Sequence, residues 1–297
     1  MNSRAKISVI IPNFNYGRFI GEAIESVLVQ TYQPIEIIVI DDGSTDDSVK
    51  IVESFGKKVK LIKQENGGVG KARNTGVKNS KGDFLAFLDA DDRWLPQKIE
   101  RQMEHFRLDP DIGLITTAMS EFGKNGNITS QFTEGKNGWC AKDMLLMFPV
   151  VIGPGSTALL KRRVIEQVGG FDENKQMYPS EDWEFCYRVA QKFKVYVVSE
   201  VLVEYRNHGG NGHLKVPHFE RGMLLAFEKT FLYASPDIQK LKNQAYGNLH
   251  KILAGSYFQA GDYTQFIKHS IKSFQMSPEN IFYFVKFPFR RLKKAIG

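Results

Sequence analysis

Cysteine is scarce in this chain, and long apolar runs are missing. Its 297 residues include two cysteines, Cys140 and Cys186, which form no Cys-x-x-Cys pair. That argues against a disulfide framework or a structural zinc site and fits a reducing compartment. No stretch approaches eighteen consecutive apolar residues, so no transmembrane helix is expected. Met1–Lys6 is short and polar and does not read as a signal segment. Several catalytic signatures are also absent. No Gly-x-Gly-x-x-Gly fingerprint follows the first strand-like run, and no Gly-x-Ser-x-Gly elbow occurs. Gly67–Ala72 fails as a Walker-type phosphate loop, because Glu65 stands at the first glycine and Ala72 at the Ser/Thr that would reach Mg²⁺.

What is present is an ordinary globular composition, 42% hydrophobic and 25% charged, with charge placed unevenly. Lys215–Gly297 carries 13 Lys/Arg against 5 Asp/Glu, whereas residues 1–214 carry 27 against 28. A near-neutral front part with a basic appendage does not fit a nucleic-acid-binding core, so no nucleic-acid partner is expected. The expected division is a domain over 1–214 and a basic helical region over 215–297.

The order of elements predicts an α/β fold with a mostly parallel mixed sheet flanked by helices. Ile7–Ile11 and Ile35–Ile40 are continuous apolar strands, as a sheet covered on both faces requires. Pro12 is expected to stop the first. Phe19–Gln30 recurs as one apolar helical face, and Ser44 with Asp47 resembles the start of a second helix. A strand over Val59–Ile62, a helix near Val69–Asn79 and a helix from Pro96 to about Arg107 follow. Gly123–Gly138 reads as a loop or hairpin, Ser156–Leu160 as a short strand, Arg162–Val168 and Glu181–Lys192 as helices, and Val195–Tyr205 as extended. From Pro217 the periodicity is helical, with Tyr246–Pro278 reading as one helical hairpin.

The chemistry concentrates at strand ends. The apolar run Phe84–Leu88 ends in Asp89, Asp91 and Asp92, and Ile35–Ile40 ends in Asp41 and Asp42. In a parallel sheet both tips lie on the edge where ligands bind. An extended backbone would point Asp89 and Asp91 to one side, as hard oxygen donors suited to Mg²⁺ or Mn²⁺. The other reading is a polar strand end leading into a helix-capping loop.

Six segments, two of them at these strand ends, carry a resemblance. Ser8–Asn15, Ile40–Asp46, Gly67–Gly76, Leu88–Asp92 and Gly169–Glu173 with Ser180–Glu184 resemble, in order, the motifs of family 2 glycosyltransferases with the GT-A (Rossmann-like) fold. The likeness covers about residues 6–210. It implies an inverting transfer from a nucleotide-diphosphate sugar, most often UDP-linked, to a hydroxyl. It places Pro12 and Phe14 along the nucleotide pocket, Asp42 on the base, and Arg73 near the nucleotide or its phosphates. Asp89 would contact ribose or metal-bound water, Asp91 would hold Mn²⁺ or Mg²⁺, and Asp182 would be the catalytic base with Glu181 beside it. His208 would add a metal ligand; the other reading of it is an exposed loop histidine beside Gly209 and Gly210.

Two other classes remain open at this level. A sugar nucleotidyltransferase would carry a glycine-rich, Lys/Arg-bearing loop after the first strand, where Pro12-Asn13-Phe14-Asn15 stands. A non-catalytic nucleotide-sugar or polysaccharide-binding protein would have no need of Asp89, Asp91 and Asp182 together. The C-terminal Ile281–Lys294 mixes aromatics with five basic residues, which suits peripheral contact with an anionic membrane. That points to a cytoplasmic protein at the inner face of the membrane, with a saccharide or lipid-linked acceptor.

Overall fold

The structure is a computed structural model describing residues 5–123, 125–209 and 215–285. The chain forms two compact units, residues 1–141 with 149–211, and residues 142–148 with 212–297. The first unit is built on a nine-stranded mixed sheet ordered β3-β2-β1-β4-β8-β6-β9-β5, with β7 paired to β6. In chain order its elements are β1 (Ile7–Asn13), α1 (Gly17–Leu28), β2 (Ile35–Asp41), α2 (Ser48–Ser54), β3 (Val59–Lys63), α3 (Val69–Lys78), β4 (Phe84–Phe87), β5 (Arg93–Trp94) and α4 (Lys98–Leu108). There follow β6 (Ile112–Phe122), β7 (Ile128–Phe132), α5 (Ala141–Leu145, mostly in the other unit), α6 (Pro154–Thr157), β8 (Leu159–Lys161), α7 (Arg162–Val168), α8 (Glu181–Ala190) and β9 (Lys194–Arg206).

The strands β3-β2-β1-β4 run parallel, as do β6 and β9, whereas β8 is antiparallel to both β4 and β6. Apolar residues of β1, β2 and β4 are buried with Ile20, Ala23, Ile24 and Val27 of α1 in one core. Alternating faces of a strand covered on both sides each need apolar cover, which explains the unbroken runs.

Several sequence expectations shift on contact with the tertiary structure. Pro12 does not end β1. There β1 pairs with β2 only, because β4 pairs no further than Ile10, so a residue without an N–H is tolerated on the free side. The second helix starts at Ser48 rather than Ser44, whose hydroxyl instead accepts from Asn13 Nδ2 (3.1 Å) and the Asn15 N–H (2.9 Å). The Ser156–Leu160 segment divides into the helical turn α6 and the three-residue β8. Gly123–Gly138 contains the hairpin strand β7.

The second unit contains α9 (Val216–Leu232), α10 (Pro236–Gln239), α11 (Lys242–Gln259) and α12 (Tyr263–Met276). Its segment 142–148 is held to α11 by Asn248 Nδ2 donating to Leu146 O at 3.0 Å. Among the described residues no helix is long and apolar enough to cross a membrane. The expected membrane-contacting segment Ile281–Lys294 lies outside the described residues from position 286 onward.

Between α11 and α12, buried His250 and His269 meet Nδ1 to Nδ1 at 2.9 Å, so one ring donates and the other must accept while neutral. Tyr257 Oη donates to Glu220 Oε2 (2.6 Å), and Glu220 Oε1 lies 3.4 Å from His269 Nε2. Burial, then the neighbouring His269, pushes His250 down to about 4. A histidine depressed on folding contributes its full stability above its unfolded pKa, about 6.5, and loses it as pH falls through the folded value. Denaturant melts should therefore show stability declining by on the order of 1–3 kcal/mol between about pH 6.5 and 4. His250→Gln should flatten that limb relative to the parent.

Candidate active site

The carboxyl ends of β1, β2 and β4 deliver the polar residues to one edge of the sheet. Asn13 and Asp41 are register partners at the ends of β1 and β2, joined by Asn13 Nδ2 donating to Asp41 Oδ1 at 2.9 Å. Asp42 is buried and accepts from the N–H groups of Gly67 and Gly68 (both 2.8 Å) and from Gln64 Nε2 (2.6 Å). Gly68 has φ +89°, a conformation that suits glycine and turns its N–H onto that carboxylate. Pro12 is buried inside β1, and Phe14, just past the strand, is 45% exposed.

The backbone of Asp89–Asp92 is a turn, not the extended chain expected, with the Asp92 N–H donating to Asp89 O at 3.1 Å. Asp89 and Asp91 nonetheless stay close enough that Asp89, after burial, raises the Asp91 carboxyl above the usual range. Asp91 Oδ2 lies 3.0 Å from His208 Nε2. His208 is not an exposed loop residue: its side chain is 7% exposed, with its ring centroid 5.7 Å from that of Tyr16 and 5.4 Å from that of Phe19.

Asp92 explains how His208 arrives there. One carboxylate oxygen accepts from the Arg206 N–H (2.9 Å) and the other from Ser156 Oγ. Arg206 Nε donates to Asp91 O at 2.8 Å, so the end of β9 is tied to the Asp89–Asp92 turn twice. Ser156 Oγ also accepts the Asp89 N–H at 3.1 Å. The turn α6 that carries Ser156 is itself fixed. Trp94 Nε1 donates to Ser156 O (2.7 Å), and Gln102 Nε2 donates to Thr157 O (2.8 Å). Fully buried Lys98 donates to Gln102 Oε1 and lies 3.9 Å above the Trp94 ring; burial holds its pKa well below the usual lysine range.

Arg73, on α3, joins this cluster to a second one. Its Nη2 donates to Asp89 and its Nη1 to Glu181 Oε1, both at 2.8 Å, and its guanidinium is 5.3 Å from the Phe171 ring. The guanidinium is buried, and Asp89 and Glu181 keep it firmly cationic despite the desolvation. Glycines make this approach possible. A Cβ on Gly155 would sit 2.5 Å from Asp89 Oδ2, and one on Gly70 would sit 2.2 Å from Asp172 O, where α3 meets the loop before α8.

Glu181 and Asp182 open α8 and differ in what they can do. Glu181 is buried and ion-paired; desolvation and Asp182 push it up to about 7 against the pull of Arg73. Asp182 is half-buried, with Oδ1 accepting the Trp183 N–H at 2.7 Å, and burial raises its pKa. Its Oδ2 accepts no hydrogen bond from the described residues, which leaves it available for an incoming proton.

The structure thus brings together Asp89, Asp91, His208, Arg73, Glu181 and Asp182, and sets Pro12, Phe14 and Asp42 along the same sheet edge. Sequence reasoning missed Tyr16 and Tyr178, whose phenols are raised first by burial and then by the Asp89/Asp91 carboxylates. It also missed Ser156, and it gave no role to Asp92 or Arg206, which tie β9 to the Asp89–Asp92 turn. Tyr178 lies two residues before the Ser180–Glu184 motif, which was the one local signal for it. Among the described residues no three His, Cys, Asp or Glu side chains converge to hold a metal by themselves. Asp91 and His208, with Asp89 adjacent, still fit Mn²⁺ or Mg²⁺, which take few protein ligands and fill their sphere with water and phosphate oxygens.

The Glycosyl transferase family 2 model matches residues 8–169. An uncharacterized glycosyltransferase of Nostoc sp. is 36% identical over 70% of this chain and 67% of its own length. One of Rickettsia typhi is 32% identical over 68% and 64% respectively, so the match spans about two thirds of such relatives. Among solved structures, a mannosyltransferase of Pyrobaculum calidifontis in complex with GDP-Man and Mn²⁺ aligns over 99% of this chain and 84% of its own, with TM-score 0.64 and 17% identity. S. aureus TarS 1–349 in complex with UDP-GlcNAc aligns over 91% of both chains, with TM-score 0.61 and 18% identity. At these identities the structural likeness speaks for the fold alone.

Ser156→Ala would leave one Asp92 oxygen buried without its donor. Urea unfolding should show a loss of about 1–3 kcal/mol, with Ser156→Thr closer to the parent.

Proposed function

This chain belongs to glycosyl transferase family 2 and has the GT-A fold of its structural neighbours, and from that we propose a specific reaction. It transfers a hexosyl or N-acetylhexosaminyl group, with inversion, from a UDP-sugar to a hydroxyl of a saccharide or lipid-linked acceptor in cell-surface polysaccharide synthesis. The observation that carries this reading is Arg73, which spans the donor-side Asp89 and the base-side Glu181 at 2.8 Å each. One buried cation thereby sets the distance between a site for leaving pyrophosphate and a carboxylate base.

Pro12 and Phe14 would line the nucleotide pocket. Asp42, pre-oriented by three donors, has acceptor capacity left for a nucleobase N–H. Asp91, Asp89 and His208 would hold Mn²⁺ or Mg²⁺, whose chemistry is to stabilise charge on the departing nucleoside diphosphate. Asp182 takes the acceptor's proton through its unengaged Oδ2 as the hydroxyl attacks. Glu181, buried and held by Arg73 through Oε1, positions the start of α8, and the half-buried Asp182 is the more accessible of the two carboxylates. Arg73 then serves mainly to orient carboxylates, with its charge near the phosphates as a secondary effect. The basic, aromatic Ile281–Lys294 segment would hold the enzyme peripherally at the inner face of the membrane.

Calorimetry with UDP, GDP and dTDP, with and without Mn²⁺, tests the donor site. Asp91→Ala should abolish metal-dependent nucleotide binding. Asp182→Asn should keep it while lowering transfer about 10²–10⁴-fold, the usual contribution of a general base. Transfer at the parental rate by Asp182→Asn would remove the base assignment, and absence of metal-dependent binding to any nucleotide would favour a non-catalytic protein. Because the base must be ionised, transfer should fall as pH drops through the raised Asp182 pKa.

A further inference from the structure

Helix α12 is turned inside out. Its fully buried positions are His269 and Ser273, and Ser273 Oγ donates to Gly247 O at 2.7 Å while accepting from Asn280 Nδ2 at 3.1 Å. A helix packed on a globular core normally buries its apolar stripe and exposes polar groups. Here Tyr263, Ile267, Ile271 and Phe274, spaced 4, 4 and 3 residues apart, are 60, 57, 52 and 44% exposed. That spacing places them on one face. Lys268 and Lys272 follow Ile267 and Ile271 by one residue, so both lie along the same edge of the stripe, exposed and outside any ion pair among the described residues. Between Tyr263 and Met276 there is no acidic residue.

We propose that this face of α12 lies on the surface of an anionic phospholipid bilayer, with the stripe at the acyl boundary and the two lysines at the headgroups. Charge decides among occupants. An apolar stripe with a purely cationic edge is the pattern of an interfacial helix. A two-fold pairing with a second copy would bring two such cationic edges together with no carboxylate on α12 to offset them. The surface lies on α12 rather than on the Ile281–Lys294 segment; it rests on the membrane reading given above only in the choice of a bilayer, and it uses none of the catalytic residues.

The test is cosedimentation of the full chain with vesicles of phosphatidylcholine alone or with 30% phosphatidylglycerol, at low and high salt. The parent should pellet with the anionic vesicles, less so at high salt. Ile267→Asp with Ile271→Asp should weaken binding roughly tenfold or more, and Lys268→Gln with Lys272→Gln should weaken it less and blunt its salt dependence. These side chains are exposed, so thermal melts should match the parent. If the parent pellets and both variants pellet equally well, the α12 surface is wrong while the tail can still bind. If the parent pellets with neither vesicle, both membrane readings fall. If light scattering finds a dimer that the double Asp variant dissociates, the partner is a second copy and the proposal is overturned. None of these outcomes bears on sugar transfer to a soluble acceptor, so the catalytic reading stands or falls separately.

Discussion

One buried guanidinium organises the candidate active-site edge of this protein. Arg73 has almost no contact with solvent, and an isolated cation there would be prohibitively costly. Its ion pairs with Asp89 and Glu181 offset that cost, and in doing so they tie three distant parts of the chain together: α3, the turn after β4, and the start of α8. Removing Arg73 would leave Glu181 as a buried carboxylate without its counter-charge, which is far worse than never having placed the pair. The close packing at Gly155 follows from the same requirement, since a side chain there would collide with Asp89 and Arg73.

A second constraint acts on the carboxylates of the turn after β4. Asp89, Asp91 and Asp92 crowd one turn, and burial followed by the neighbouring carboxylates raises the proton affinity of Asp91 and Asp92. The fold separates their tasks by hydrogen bonding. Asp92 is absorbed into structure by Ser156 and the Arg206 backbone, whereas Asp91 faces His208 and Asp89 faces Arg73. Trp94, Gln102 and, through Gln102, Lys98 set the carbonyls of α6 and hence the hydroxyl of Ser156. Preorganisation of this kind lets electrostatic stabilisation act without rearrangement at the moment of reaction.

The helical unit follows a different logic. It buries polar groups, a histidine pair, Ser273 and Asn280, and links them by internal hydrogen bonds, while leaving apolar residues of α12 outside. Its interior is therefore sensitive to acid, and its exterior is suited to an apolar, anionic surround.

Much of the parallel half of the sheet was legible in the sequence. Continuous apolar runs at Ile7–Ile11 and Ile35–Ile40 can be buried on both faces only in such a sheet, and carboxylates directly after apolar strands can lie only at its edge. The candidate residues Asp42, Asp89, Asp91 and Asp182 could be named because each sits in a short motif next to an element boundary. Only the tertiary structure decided what their neighbours are. That His208 meets Asp91 depends on hydrogen bonds from Arg206 to residues 114 and 115 positions away, and that Glu181 is held in an ion pair while its neighbour Asp182 is not depends on Arg73, 108 positions from Glu181. Local sequence encodes the backbone period and its punctuation. Which buried charge meets which is settled by desolvation in the assembled fold, where every polar group must find a partner and the pairing depends on the whole packing.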